Sequence, residues 1–334
     1  MKKLILLSIL YLFIFDSNSQ RRKTNTSTST KPEEKSLSLS AMKLRNVGPA
    51  FLSGRIADIA IHPENNNVWY VATGSSGVWK TENSGTTYEP IFDKESTYST
   101  GCITIDPSDP SVIWLGTGEN VGGRHVAYGD GIFKSEDGGR SWTNMGLRKS
   151  EHISEIIIHP ENSDVIWVAS QGPLWSPGGD RGLFKTIDGG KNWKKVLGDG
   201  EWTGVTDIHM DPRNPDRIYA ATWQRHRTVA ALMGGGPESG LHRSEDGGES
   251  WTKLKSGLPD YAGKIGFTLS PQKPDILYAS IELEKRKGAV YRSEDRGSSW
   301  KKMSDLSLGY GTGPHYYQEL FASPHKFDRL YLMN

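Results

Sequence analysis

The chain of 334 residues has one cysteine, Cys102, so no internal disulfide can staple it. No histidine accompanies Cys102 in its own segment, and it reads as a small buried apolar residue, not a nucleophile. An excess of charge is also missing. Forty basic residues stand against thirty-nine acidic ones, with no basic block able to track a phosphate backbone, and nucleic acid is excluded as a partner. Long apolar runs are absent too. The stretch from Leu4 to Phe15 is about a dozen residues, where a membrane span needs about 20. With Lys2 and Lys3 before it and Ser17-Asn18-Ser19 after it, this stretch reads as a secretory signal peptide, residues 1–19, cleaved after Ser19. Cleavage leaves no membrane span and places the protein outside the cytoplasm, periplasmic or extracellular. An exported chain without disulfides suits a bacterial secretion route.

Glycine and proline are plentiful, 38 and 17 residues, as many short strands joined by turns require. Residues 20–41 are polar, rich in Ser, Thr and Lys, and read as a disordered linker. From residue 42 to 334 the chain repeats. An eight-residue pattern, Ser/Thr-x-Asp-x-Gly-x-Ser/Thr-aromatic, starts at Ser135, Ser244 and Ser293, with degenerate copies at Thr81 and Thr186. This is the Asp-box. Its aromatics, at positions 88, 142, 193, 251 and 300, stand 54, 51, 58 and 49 residues apart, the length of a long four-stranded propeller blade. In phase with it, a Pro is followed seven residues later by an aromatic: Pro63 and Tyr70, Pro107 and Trp114, Pro160 and Trp167, Pro212 and Tyr219, Pro271 and Tyr278, Pro324 and Tyr331. The expected fold is all-β, a β-propeller of four-stranded Asp-box blades. Five and a half blades are present, because the sixth repeat carries no box before Asn334.

The first repeat gives the template. Strand a is expected at 56–61, strand b at 68–73, strand c at 77–81, then the box, then strand d at 88–92. In the box, Asn83, Asp137, Asp188, Asp246 and Asp295 are expected to accept backbone N–H groups, and the Gly to supply a positive φ. These side chains, four carboxylates and one amide, are therefore structural. Their spacing also fails the calcium-loop pattern, and neither metal nor cofactor is implied. Because a meander reverses at every turn, the a-to-b turns and the boxes share one side. There His62, Asp106, His159, Asp211, Ser270 and Ser323 interchange before the Pro, as turn formers do.

The opposite side carries the b-to-c and d-to-a loops, which differ between repeats, so binding is expected there. Residues 118–125 contribute Glu119, Arg124 and His125, residues 171–177 contribute Trp175, and the long segment 223–236 contributes Trp223, Arg225 and His226. The d-to-a loops add Tyr98, His152, Glu201, Trp202, Tyr261, His315, Tyr316 and Tyr317. Aromatics with Arg, His and carboxylates on one face suit sugars or peptides.

Arg45-Asn46-Val47-Gly48-Pro49-Ala50, Ser53-Gly54-Arg55-Ile56 and Gly77-Val78-Trp79-Lys80-Thr81, together with the boxes, resemble the secreted bacterial Asp-box propellers related to the sortilin N-terminal domain, often labelled glycosyl hydrolases. The resemblance runs from about Lys43 to the end. It implies a propeller that binds protein, peptide or glycan ligands through its variable loops, with Arg55 at the ligand face. The alternative it implies is a glycoside hydrolase, xyloglucanase-like or sialidase-like. A xyloglucanase-like enzyme would carry its first catalytic Asp just after strand b of blade one, where this chain has Gly74. A sialidase-like enzyme would carry Arg-Ile-Pro, where Arg55-Ile56 is followed by Ala57. Glu119 and Glu201 are the remaining candidates for a catalytic pair, which must stand about 5–10 Å apart. A purely structural scaffold is the third reading.

Overall fold

The computed structural model describes residues 54–307 and 317–333. The expected signal peptide and linker, and His315 and Tyr316, lie outside the described residues.

Alternation of apolar and polar residues, broken by Pro, Asn and Gly turns, produces short antiparallel strands. Among the described residues they form five four-stranded sheets, each a meander in chain order. The first comprises Ile56–Ile61, Trp69–Thr73, Gly77–Thr81 and Glu89–Pro90. The other four start at Thr100–Ile105, Ile153–His159, Thr203–Asp211 and Ile265–Leu269. A two-stranded sheet, Glu319–Ala322 with Leu330–Met333, follows. The expected fourth strand over 88–92 shrinks to two residues. Pro90 has no N–H to continue a ladder, and Ile91 bonds back to the Val78 carbonyl. This architecture is all-β and propeller-like, with consecutive first strands packed side by side along a common axis. In the first strand, Ile56, Ile59 and Ile61 are exposed, against the alternation expected of a half-buried strand.

Two sets of bonds tie one sheet to the next. Tyr70, Trp167 and Tyr219, the aromatics seven residues after Pro, are buried in second strands and donate to the carbonyls of Gly138, Gly247 and Arg296, in the box of the following sheet. In return, Trp142 and Trp193 of the boxes donate to the carbonyls of Ile91 and Met145 in the preceding sheet. The core is accordingly a series of apolar clusters between adjacent sheets, such as Tyr70, Val78, Phe92, Ile113 and Phe133.

The turn side is built as the repeats require. Asp137 accepts from Ser135 Oγ at 2.9 Å, Ser141 N at 2.9 Å and Ser141 Oγ at 2.6 Å. Asp188, Asp246 and Asp295 repeat the arrangement, and Asn83 does so with its amide. The Ser141 hydroxyl and N–H hold the Asp137 carboxyl down at about 2, and the Asn192 amide does the same for Asp188. Gly139 sits at φ 87°, and a Cβ there would stand 2.5 Å from Ile91 of the preceding sheet. Each box also donates one N–H to the a-to-b turn of its own sheet, Gly138 to Ser111 and Gly247 to Asp216 for example, so the two turns share a side. His62, Asp106, His159, Asp211 and Ser323 accept the N–H two residues on, and Ser270 the one three residues on.

Candidate functional site: the loop face

The loops of the opposite side are locked together by buried cations. Arg225 is fully buried and donates to the carbonyls of Val121 at 3.2 Å and Gly172 at 2.9 Å, joining the loops of the second and third sheets to its own. Its guanidinium lies 5.2 Å from the Trp223 ring. Burial holds it well below the ordinary guanidinium value. Arg181 donates to the carbonyls of Gln171, Pro173, Ser176 and Trp202, and burial brings it down to about 10. Arg227 donates to Gly122 O, and Lys264 to Asn120 O. Carbonyl oxygens that loops leave unpaired are thus met by side-chain donors. Val121, Val126 and Leu174, with Trp175 and Tyr317 against them, form an apolar cluster beneath these bonds.

The residues expected to face a ligand divide accordingly. Trp223 and Arg225 are inside. Trp223 belongs to the strand Asn214–Gln224, not to the following loop, and its Nε1 donates to Gly234 O. The long segment after it is partly ordered into a ribbon, His226–Arg227 paired with Leu232–Met233. His226 stacks on Trp202 with centroids 4.0 Å apart, and both are half-buried, as is Trp175. Arg124 and His125 are exposed, Arg124 reaching Val229 O at 3.3 Å.

Glu119 is buried, its carboxylate held by the Arg55 guanidinium in a two-pronged ion pair and by Tyr317 Oη at 2.8 Å. The clasp joins the first, second and last sheets. A Cβ on Gly74 would stand 2.7 Å from Glu119 Oε1, so Glu119 fills the space that a side chain at 74 would need. Glu201 is exposed, its backbone carbonyl taking the Gly178 N–H. No bond between described residues links the two carboxyls.

Sequence reasoning missed five further acids. Asp58, Glu155, Asp207 and Glu319, all on first strands, surround an axial cavity of about 190 Å³. Burial, then like charge, pushes Glu155 well up, and burial pushes Glu319 up to about 7 and raises Asp58. Among the described residues no His, Cys, Asp and Glu group is arranged to hold a metal ion. Glu282, near the end of the second strand Leu277–Leu283, is pushed up to about 7 by burial. Its signal in the sequence is its place, eleven residues after Pro271, as Gln171 stands eleven after Pro160 and Glu119 twelve after Pro107.

Five meanders packed through their first strands, each closed by an Asp-box, define an Asp-box, propeller-like repeat protein that resembles the sortilin-type group. The family described as "Sortilin, neurotensin receptor 3" matches residues 130–257. Two curated relatives are an oligoxyloglucan-reducing end-specific xyloglucanase of Emericella nidulans, 24% identical over 59% of this chain, and a xyloglucanase of a Paenibacillus species, also 24% identical over 59%. The chain spans 24% and 20% of their lengths. The crystal structure of the xyloglucanase from Xanthomonas campestris superposes with a TM-score of 0.61 at 18% identity, over 83% of this chain and 43% of that one. An ancestral enzyme of the same glycoside hydrolase group gives 0.59 at 20% identity, over 82% and 33%. The two curated relatives carry the name of the alternative expected from the sequence, a xyloglucanase-like glycoside hydrolase. Among the described residues no helix is long and apolar enough to cross a membrane.

Proposed function

We propose that this chain is a glycan-gripping propeller of a xyloglucan-directed glycoside hydrolase, exported after removal of residues 1–19. Its sheets are read as five four-stranded blades and a sixth described by two strands. The observation that carries the reading is the match of curated xyloglucanases over 59% of the chain. The geometry supports a gripping role. Glu119 is spent on the Arg55 and Tyr317 clasp, and Glu201 is exposed and takes no part in it, so these two are not set as a carboxyl pair across a scissile bond. Catalysis would draw on at least one carboxyl other than these two.

Calorimetric titration with xyloglucan oligosaccharides, beside an assay for new reducing ends from xyloglucan, tests the proposal. Binding is the expected result. Neither heat nor reducing ends would sink it and leave the interaction module, which the sortilin match over 130–257 favours, to be tested with peptides.

A further inference from the structure

A cleft of about 340 Å³ opens on the loop face between the fourth and fifth sheets, within the usual range of ligand cavities of about 300–1,000 Å³. Its walls are made by residues 232–236, 261–263 and 282–285. Glycines create the space. A Cβ on Gly263 would stand 2.6 Å from Glu282 Oε2, and one on Gly235 would stand 2.8 Å from Gly263 Cα. The 232–236 segment lies against the fifth sheet through the bond from Gly236 N to Ala262 O at 3.3 Å. At the rim, Tyr261 is 54% exposed and Leu232 37% exposed. On the wall, Glu282 Oε2 takes one long bond from Lys264 N at 3.4 Å, and no described residue bonds its Oε1. The wall thus offers a hydrogen-bonding carboxyl, and the rim an exposed aromatic ring.

We infer that this cleft is a saccharide subsite for a neutral glycan, with Tyr261 as the platform under a sugar ring and Glu282 as the partner of its hydroxyls. A sugar ring has an apolar C–H face and a rim of hydroxyls, and the cleft sets one apolar surface and one carboxyl to meet them. Above about pH 7, where the Glu282 carboxyl is ionised, Glu282 and Glu284 outnumber Lys285 on the lining, which disfavours a carboxylated sugar against an uncharged one. The inference rests on the glycan-binding reading above and assigns its location and its charge class.

The test uses the full chain with xyloglucan heptasaccharide, and sialyllactose as the anionic control. Tyr261→Ala and Glu282→Ala are each expected to weaken heptasaccharide binding about tenfold or more, with Tyr261→Phe close to native. In native protein the heptasaccharide is expected to slow amide exchange in 232–236, 261–263 and 282–285, and sialyllactose to bind nowhere. Slowed exchange in those segments supports the subsite even if an alanine variant fails to fold. Affinity retained in both alanine variants, with protection confined to other loops, overturns the subsite and leaves the glycan reading standing. Tight binding of sialyllactose in the cleft overturns the charge class. A native chain that ignores the heptasaccharide removes the subsite and the function beneath it together.

Discussion

Arg225 buries a guanidinium against two carbonyl oxygens and an indole ring. Truncating it leaves the Val121 and Gly172 carbonyls without donors in a water-poor place, so Arg225→Ala should cost about 2–4 kcal/mol in urea unfolding. Arg225→Met, which keeps the volume and drops the charge, should recover part of that loss. An alanine variant as stable as the native chain would contradict this role. The position also shows why the site was less legible than the fold. Arg225 and Trp223 stand in a segment with no apolar period, and loops have no rule that says which side chain turns inward. Here the direction is decided by carbonyls contributed from residues 104 and 53 positions away, which nothing local announces. The turn residues were easier to read, because Asp137 and its counterparts find their partners within four residues.

The strand is the scale at which the sequence spoke most clearly. Gly77–Thr81 falls where the apolar run between two turn signals places it, and Ile56–Ile61 agrees with the expected first strand. The second strand falls one residue short of its expected start, and the outermost one shrinks most, since it pairs on one side and loses its ladder at Pro90. The second strands hold the sheets in register with one another. Trp167→Phe keeps an aromatic ring in the cluster and removes the bond to Gly247 O, for an expected loss of about 1 kcal/mol. Trp167→Ala opens the cluster with Leu183, Val205 and Ile218 and should cost about 3–5 kcal/mol by chemical denaturation. Equal stabilities for the two variants would mean that the ring does not hold the seam.

For the molecule as a whole, the axial carboxyls make folding depend on pH. Glu319 is raised to about 7 in the folded chain, which therefore holds more protons than the unfolded one between about pH 4.5 and pH 7. Its contribution is full below that window and is lost as pH rises through it, by about 3 kcal/mol at most. His242, lowered by burial to about 4, acts oppositely over pH 4 to 6.5, so the informative quantity is the difference between native and Glu319→Gln. Urea unfolding at pH 5 and pH 8 should show the native chain losing stability relative to the variant; parallel profiles would refute the assignment. The reciprocal bonds between sheets carry a consequence for synthesis on the ribosome. The ring of Tyr70 finds Gly138 only after another 68 residues have been translated, and the carbonyl of Ile91 finds Trp142 only after another 51. Each repeat therefore waits unfinished for its successor, and assembly trails the growing chain by one full unit.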